Sequence, residues 1–214
     1  MSDTTLWNSS DCAAWHRALE SYSEVVRAQG VGGLEELDRW YREELPGLVA
    51  SRTPPYVTQD ELVKVTRWKM KRGVWRQRNL LLVEENPAAQ VEQTSREAFA
   101  AVPDPRRPVS VLVHLAGVGP ATASAVLAAY SPGMYPFFDE LVAQQMPGMG
   151  EVSFTAPYYA SYADKLRTRA EALNSACEHH AWTANDLGMA LWAASGGKVG
   201  QAGQVPRQPP TGGG

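Results

Sequence analysis

The sequence is poor in residues that build metal or disulfide frameworks. It has two cysteines, Cys12 and Cys177, and four histidines among its 214 residues. Two cysteines are too few for a four-cysteine iron–sulfur cluster, and the histidines do not show the spacing of metal ligands. We expect ordinary core or surface histidines, and cysteines that stay reduced inside a cell.

Long apolar runs are also missing. No stretch approaches the length of a membrane span, and residues 1–5 lack the charged-then-apolar order of a secretory signal. We therefore expect an intracellular protein, nuclear if its source is a eukaryote and otherwise cytoplasmic, without a membrane partner. The length suits one domain that can bury a core, and we expect a monomer.

Basic residues are not in excess, because the formal net charge is −3. Non-specific affinity for nucleic acid comes from neutralised phosphates, so the composition argues against a protein that coats DNA. Positive charge is concentrated in residues 64–78, and we expect this basic cluster to contact phosphates, through Lys69, Lys71 and Arg72 in particular. Trp68 and Trp75 lie within it and either belong to the core or stack on a base.

Apolar residues recur mainly at helical spacing, and few stretches alternate with a period of two. The pattern predicts helices over residues 11–30 and 34–45, the second ended by a Pro-Gly pair. A further helix is predicted to open with a capping box at Thr58 and to close at Gly73. The segment Thr183-Ala184-Asn185-Asp186 is predicted to cap a last helix. About nine or ten helices joined by short loops predict an all-α domain.

The ends of the chain differ from the middle in composition. We expect the helical domain to cover residues 11–197, with a disordered segment over residues 1–10. Residues 198–214 are rich in Gly, Pro and Gln, which predicts a disordered tail. In the last helical part of the domain Tyr158, Tyr159 and Tyr162 form an aromatic stripe, and core packing is the default interpretation, with a base-holding pocket as the alternative.

Residues 109–130 are typical of two helices joined by a tight glycine turn. Gly117 and Gly119 permit such a turn where a Cβ would clash or forbid the dihedral angles, and Pro120 suits the first helical position. Free backbone N–H groups at the start of the second helix predict a phosphate-binding site. The alternative is a helix corner where small residues only permit close packing.

This hairpin resembles the helix-hairpin-helix motif of DNA repair proteins. It is followed by Pro136-Phe137-Phe138-Asp139-Glu140, and Asp139 falls twenty residues after Gly119, about where the helix-hairpin-helix glycosylases keep their catalytic aspartate. Together with the block Trp68-Lys69-x-x-Arg72-Gly73, these residues resemble a group of uncharacterised proteins related to the helix-hairpin-helix (HhH-GPD) DNA glycosylase superfamily. The resemblance to that group covers about residues 35–195, and it implies a substrate cleft between two helical bundles.

The resemblance implies that the hairpin binds the backbone of DNA, with RNA left open. The residues it implicates are Gly117, Val118, Gly119, Ala121 and Thr122. It also implies a K⁺ or Na⁺ ion held by the backbone carbonyls of Val113, Leu115 and Val118, and no other cofactor.

Asp139 is the catalytic residue that the resemblance implies. Its carboxylate would stabilise the positive charge that develops on the sugar as the base leaves. The alternative is that Asp139 is only the N-cap of the next helix, with Glu140 as the fallback carboxylate.

The lysine nucleophile of bifunctional glycosylases falls on Ala121, which cannot form a Schiff base. The resemblance therefore implies a monofunctional glycosylase of base excision repair, without a lyase step from that position. Lys69 and Lys71 leave a relocated nucleophile open. The alternatives are a binding module that has lost the chemistry, and a protein whose Gly-Val-Gly turn only packs helices.

Overall fold

The structure is a computed structural model that describes residues 5–177 and 180–198. Within these ranges it is helical and contains no strand, which confirms the all-α prediction. The helices are α1 (Cys12–Glu20), α2 (Tyr22–Ala28), α3 (Leu34–Arg39), α4 (Leu45–Ala50), α5 (Gln59–Arg72), α6 (Gln77–Glu84), α7 (Ala88–Ala100), α8 (Arg107–Leu112), α9 (Pro120–Tyr130), α10 (Glu140–Ala143), α11 (Ala156–Ala176) and α12 (Ala184–Ala194).

The chain is ordered before α1. Residues Leu6–Asn8 form a 3₁₀ turn, and the carbonyl of Ser9 accepts hydrogen bonds from the Trp15 indole at 2.9 Å and the Arg169 guanidinium at 2.5 Å. The predicted disorder of the first ten residues is therefore wrong for residues 5–10. Most of the predicted tail, residues 199–214, lies outside the described residues.

Two predicted helix boundaries are wrong. The helix expected over residues 11–30 breaks at Ser21, whose hydroxyl donates to the Ala18 carbonyl at 2.8 Å. The helix expected over residues 34–45 continues through a π-helical turn, Trp40–Glu44, into α4. Pro46 does not end it, and lies in the first turn of α4 directly after the π-helical turn.

The capping predictions are confirmed. Thr58 and Glu61 form a reciprocal capping box at the start of α5, and Gly73 follows its last residue. Thr183 and Asp186 form the equivalent box at the start of α12. Caps are short-range features, so the local sequence is sufficient to place them.

The two cysteines are joined rather than free. A disulfide bond connects Cys12, at the start of α1, with Cys177, just after α11. The prediction of reduced thiols is therefore wrong for this structure. The partners are separated by 165 positions in the chain, so only the folded arrangement of α1 and α11 shows that they meet.

The hairpin rests on a central helix. Residues 122–129 of α9 are buried on all sides, and α9 packs against α4, α5 and α8. On the other side of the core, α12 packs against α1, α2, α10 and α11. No helix in the described ranges is both long and apolar enough to cross a bilayer.

Candidate nucleic-acid cleft

A cleft of about 340 Å³ brings together residues that are far apart in the chain. Its walls come from the end of α5, the glycine turn before α9 and the start of α10. The predicted site residues that line it are Lys69, Arg72, Gly117, Gly119, Ala121, Thr122 and Asp139. Its volume lies in the range of small-molecule pockets, about 300–1,000 Å³.

The two hairpin glycines have different roles. Gly117 has φ +73°, and a Cβ there would lie 2.5 Å from the Asn79 carbonyl oxygen, so both the dihedral angle and the packing require glycine. Gly119 has φ −104°, and a Cβ there would meet no atom within 4 Å. The prediction of a required glycine is confirmed at 117 and wrong at 119, where the missing side chain leaves open space instead.

Three backbone N–H groups of the hairpin have no acceptor among the described residues: those of Gly117, Gly119 and Ala121. By contrast, the Thr122 N–H donates to the Gly119 carbonyl at 3.0 Å and the Val118 N–H to the Leu115 carbonyl at 3.1 Å. Val118 is also buried and does not line the cleft. The N–H groups of Val118 and Thr122 are therefore not free donors in this structure, and contact of these two residues with nucleic acid stays a prediction.

Asn86 holds the glycine turn in place. Its buried amide donates to the Ala116 carbonyl at 2.9 Å and accepts from the Ala116 N–H at 2.9 Å. In the sequence, the pair Asn86-Pro87 is typical of a helix boundary and indicates nothing more. Its partner lies thirty positions away, so no local pattern could show this contact.

Asp139 is the N-cap of α10, and it also lines the cleft. Its Oδ1 accepts from the Leu141 N–H at 2.9 Å, as the N-cap alternative predicted. Its Oδ2 accepts from the Arg72 Nε at 3.3 Å. The carboxylate is thus fixed from two sides, while the residue keeps 8% of its surface exposed.

Arg72 is a buried cation that lines the cleft, and its contact with a phosphate stays a prediction. It is 5% exposed, it donates to the Tyr22 hydroxyl, and its guanidinium lies 4.1 Å from the centre of the Trp192 ring. Burial is the largest single influence on the pKa of Arg72 and lowers it, but Tyr22, Asp139, Asp38 and Tyr162 together outweigh burial, so the pKa is raised.

Lys69 is the lysine of α5 that faces the cleft. Burial lowers its pKa, and the nearby Arg76 charge lowers it further. Among the described residues, no acceptor and no carboxylate pairs with its amine. Lys71 does not line the cleft, and its amine donates to the Gly32 carbonyl instead. Helical spacing separates these two side chains, because positions two apart lie on different faces.

The other aromatic and basic residues of the predicted site also differ in burial and orientation. Trp68 is a core residue, 1% exposed and stacked on Tyr41, whereas Trp75 is 47% exposed. Arg67 turns away to form an ion pair with Glu84 at 2.7 Å. The tyrosine stripe packs against the core, as the default interpretation predicted, and it does not line the cleft.

The carbonyls predicted to hold a monovalent cation keep lone pairs that hydrogen bonds do not occupy. Those of Val113 and Val118 accept no hydrogen bond from the described residues, and that of Leu115 keeps one lone pair beside its bond to Val118. No cluster of three or more His, Cys, Asp or Glu side chains in the described ranges suits a metal ion. The cation remains a prediction.

Comparisons with known proteins found no family model, no curated protein and no solved structure that matches this chain. The relation to the helix-hairpin-helix glycosylases therefore rests on the motifs alone and remains a prediction.

Proposed function

We propose that this protein is a DNA N-glycosylase that binds the DNA backbone with its hairpin and releases a base in its cleft. One observation carries the proposal. Gly117, Gly119 and Ala121, whose backbone N–H groups are unpaired among the described residues, line the same cleft as Asp139 and Lys69.

The hairpin would bind one backbone phosphate. Its unpaired N–H groups lie at the start of α9, whose dipole favours an anion. The open space at Gly119 would let a phosphate approach the backbone closely. A cation held by the carbonyls of Val113, Leu115 and Val118 would add positive charge near that phosphate.

Base release would follow base flipping. A base turned out of the duplex would enter the cleft, and the negative charge of Asp139 would stabilise the cation that develops on the sugar as the glycosidic bond breaks. Leu141 and Arg72 hold this carboxylate in one orientation, so it needs no reorganisation during the reaction. Because Ala121 offers no amine, water is the nucleophile of this step.

A binding module without catalysis is the second candidate. The observation that favours it is the 3.3 Å contact between Arg72 and Asp139, since a guanidinium so close offsets part of the negative charge that the sugar cation would need. This candidate predicts salt-sensitive binding to DNA, because phosphate contacts release counterions, and no base release.

The test is base release from a panel of duplexes that each carry one damaged or mismatched base. We expect the wild-type protein to release at least one base, and Asp139→Asn to lower that rate about 10²–10⁴-fold. Asparagine remains a good N-cap, so duplex affinity and thermal stability serve as controls for folding. Duplex binding without release from any substrate would instead support the binding module.

A further inference from the structure

A second buried carboxylate is linked to Arg72 through one tyrosine. The Arg72 Nη1 donates to the Tyr22 hydroxyl, and that hydroxyl donates to Oδ1 of Asp38 at 2.8 Å. A guanidinium can only donate and a carboxylate only accepts, so the direction of both hydrogen bonds is fixed. Burial raises the pKa of Tyr22, which keeps the hydroxyl protonated. Arg72 is therefore held by Asp139 directly and by Asp38 through Tyr22.

Asp38, on α3, is itself held in one position. It is 2% exposed, and besides Tyr22 it accepts hydrogen bonds from the Trp68 indole at 3.0 Å and from the Arg42 Nε at 2.7 Å. A buried polar network whose members are all paired is rigid. Tyr22 therefore connects Arg72 to a fixed point in the core.

The contact between Arg72 and Asp139 is longer than such contacts usually are. Guanidinium–carboxylate hydrogen bonds are usually about 2.7–2.9 Å long and often bidentate. Here Nε alone contacts the carboxylate, at 3.3 Å from Oδ2. The centres of four aromatic rings lie between 4.1 and 5.6 Å from the guanidinium carbon: those of Trp192, Phe137, Tyr22 and Trp68. Within the described ranges, the hydrogen-bond acceptors of Arg72 are Tyr22 and Asp139.

We infer that Tyr22 and Asp38 are positioning residues for Asp139, because they hold the Arg72 guanidinium back from its carboxylate. This inference rests on the proposed function, in which the charge of Asp139 stabilises a sugar cation. A closer, bidentate guanidinium would offset more of that charge. With its Nη1 bound to Tyr22, Arg72 orients the carboxylate and leaves more of its charge to the substrate.

The test uses Tyr22→Phe, which removes the hydroxyl and keeps the ring that packs on Trp192. Asp139 is then the acceptor that remains for Arg72 among the described residues, so we expect the guanidinium to move toward it. Nitrogen-15 NMR of the full-length protein should show the Arg72 Nε–H proton shifted downfield, because a shorter hydrogen bond deshields the proton.

The same variant should also lose activity. With the substrate that the duplex panel identifies, single-turnover base release by Tyr22→Phe should slow by about 10–100-fold, the range of one hydrogen bond to a charged group. Duplex affinity should stay unchanged, because Tyr22 does not line the cleft. Asp38→Asn keeps an acceptor for Tyr22 and removes the charge, so its release rate should lie between those of the wild type and Tyr22→Phe.

Tyr41→Phe is the matched control. The Tyr41 hydroxyl is also buried, and it donates to the Ala125 carbonyl at 2.7 Å. Its removal should lower the thermal stability about as much as Tyr22→Phe does, but should leave the Arg72 signal and the release rate as in the wild type. A purely structural role of Tyr22 would affect both variants alike and would not move the Nε–H signal.

Two results would overturn the inference: an Nε–H signal that does not move in Tyr22→Phe, and a moved signal with release at the wild-type rate. Both leave the proposed function intact. Wild-type release by Asp38→Asn would overturn the role of Asp38. A wild-type protein that releases no base would overturn the proposed function, and the Nε–H signal would then decide separately whether Tyr22 restrains Arg72.

Discussion

The Arg72 guanidinium lies against the Asp139 carboxylate, with 3.3 Å between Nε and Oδ2, and both side chains are buried. The contact joins the end of α5 to the start of α10 across 67 positions of sequence. It fixes the carboxylate that the proposed function needs, and it also offsets part of the charge of that carboxylate. The balance between these two effects decides between the enzyme and the binding module.

Loss of Arg72 should be partly compensated by loss of the Asp139 charge. Arg72→Met removes a donor from both Asp139 and Tyr22 and leaves a buried carboxylate unpaired, so we expect a loss of about 3–5 kcal/mol in the free energy of unfolding. Arg72→Met/Asp139→Asn should be more stable than Arg72→Met alone. Urea denaturation measures the free energy of unfolding of both variants. Arg17→Met is the control, because the exposed Arg17–Asp11 pair should contribute less than about 1 kcal/mol. A double variant less stable than Arg72→Met would contradict this account.

The two hairpin glycines should respond differently to alanine. Gly117→Ala should lower the free energy of unfolding by at least about 1–2 kcal/mol, because its positive φ and the Asn79 carbonyl both oppose a side chain. Gly119→Ala should leave stability within about 0.5 kcal/mol but weaken duplex binding, since a methyl group would occupy the space proposed for a phosphate. Thermal denaturation and fluorescence anisotropy measure the two effects. Unchanged affinity in Gly119→Ala would mean that no phosphate approaches there.

The two tryptophans of the basic cluster form a second matched pair. Trp68→Ala should cost about 3–5 kcal/mol of stability, because the ring is fully buried against Tyr41. Trp75→Ala should leave stability nearly unchanged and should weaken binding to duplexes with an unpaired base, since stacking on one base contributes about 1–3 kcal/mol. If Trp75→Ala bound such duplexes as well as the wild type, stacking by this residue would be ruled out.

Lys69 should make stability depend on pH. Its pKa is lowered in the folded protein, first by burial and then by the Arg76 charge. Between that lowered pKa and the ordinary value of about 10.4, the unfolded chain binds more protons at this residue than the folded one. The contribution of Lys69 to stability should therefore rise with pH in this window. Urea denaturation at a series of alkaline pH values should show that the free energy of unfolding rises less with pH in Lys69→Met than in the wild type. Equal slopes of this free energy against pH would contradict a lowered pKa of Lys69.

The sequence by itself determined the local features of this protein. The all-α class follows from apolar spacing, and the starts of α5 and α12 follow from the caps at Thr58 and Thr183, because partners three residues apart meet through backbone geometry alone. The glycine turn at Gly117 is another feature that the local sequence predicted. The N-cap role of Asp139 was one of two interpretations of a local pattern, and the observed hydrogen bond to Leu141 confirms it.

Only the tertiary structure decided which of these features meet. The sequence shows basic residues at positions 69, 71 and 72 but does not show which of them is exposed, buried or paired. In the structure Lys69 lines the cleft, Lys71 donates to the Gly32 carbonyl, and Arg72 is buried against Asp139. The Cys12–Cys177 bond and the Asn86 contact to the hairpin also join distant positions. Burial and pairing depend on how the helices pack, and packing depends on contacts between segments that no local window of sequence contains.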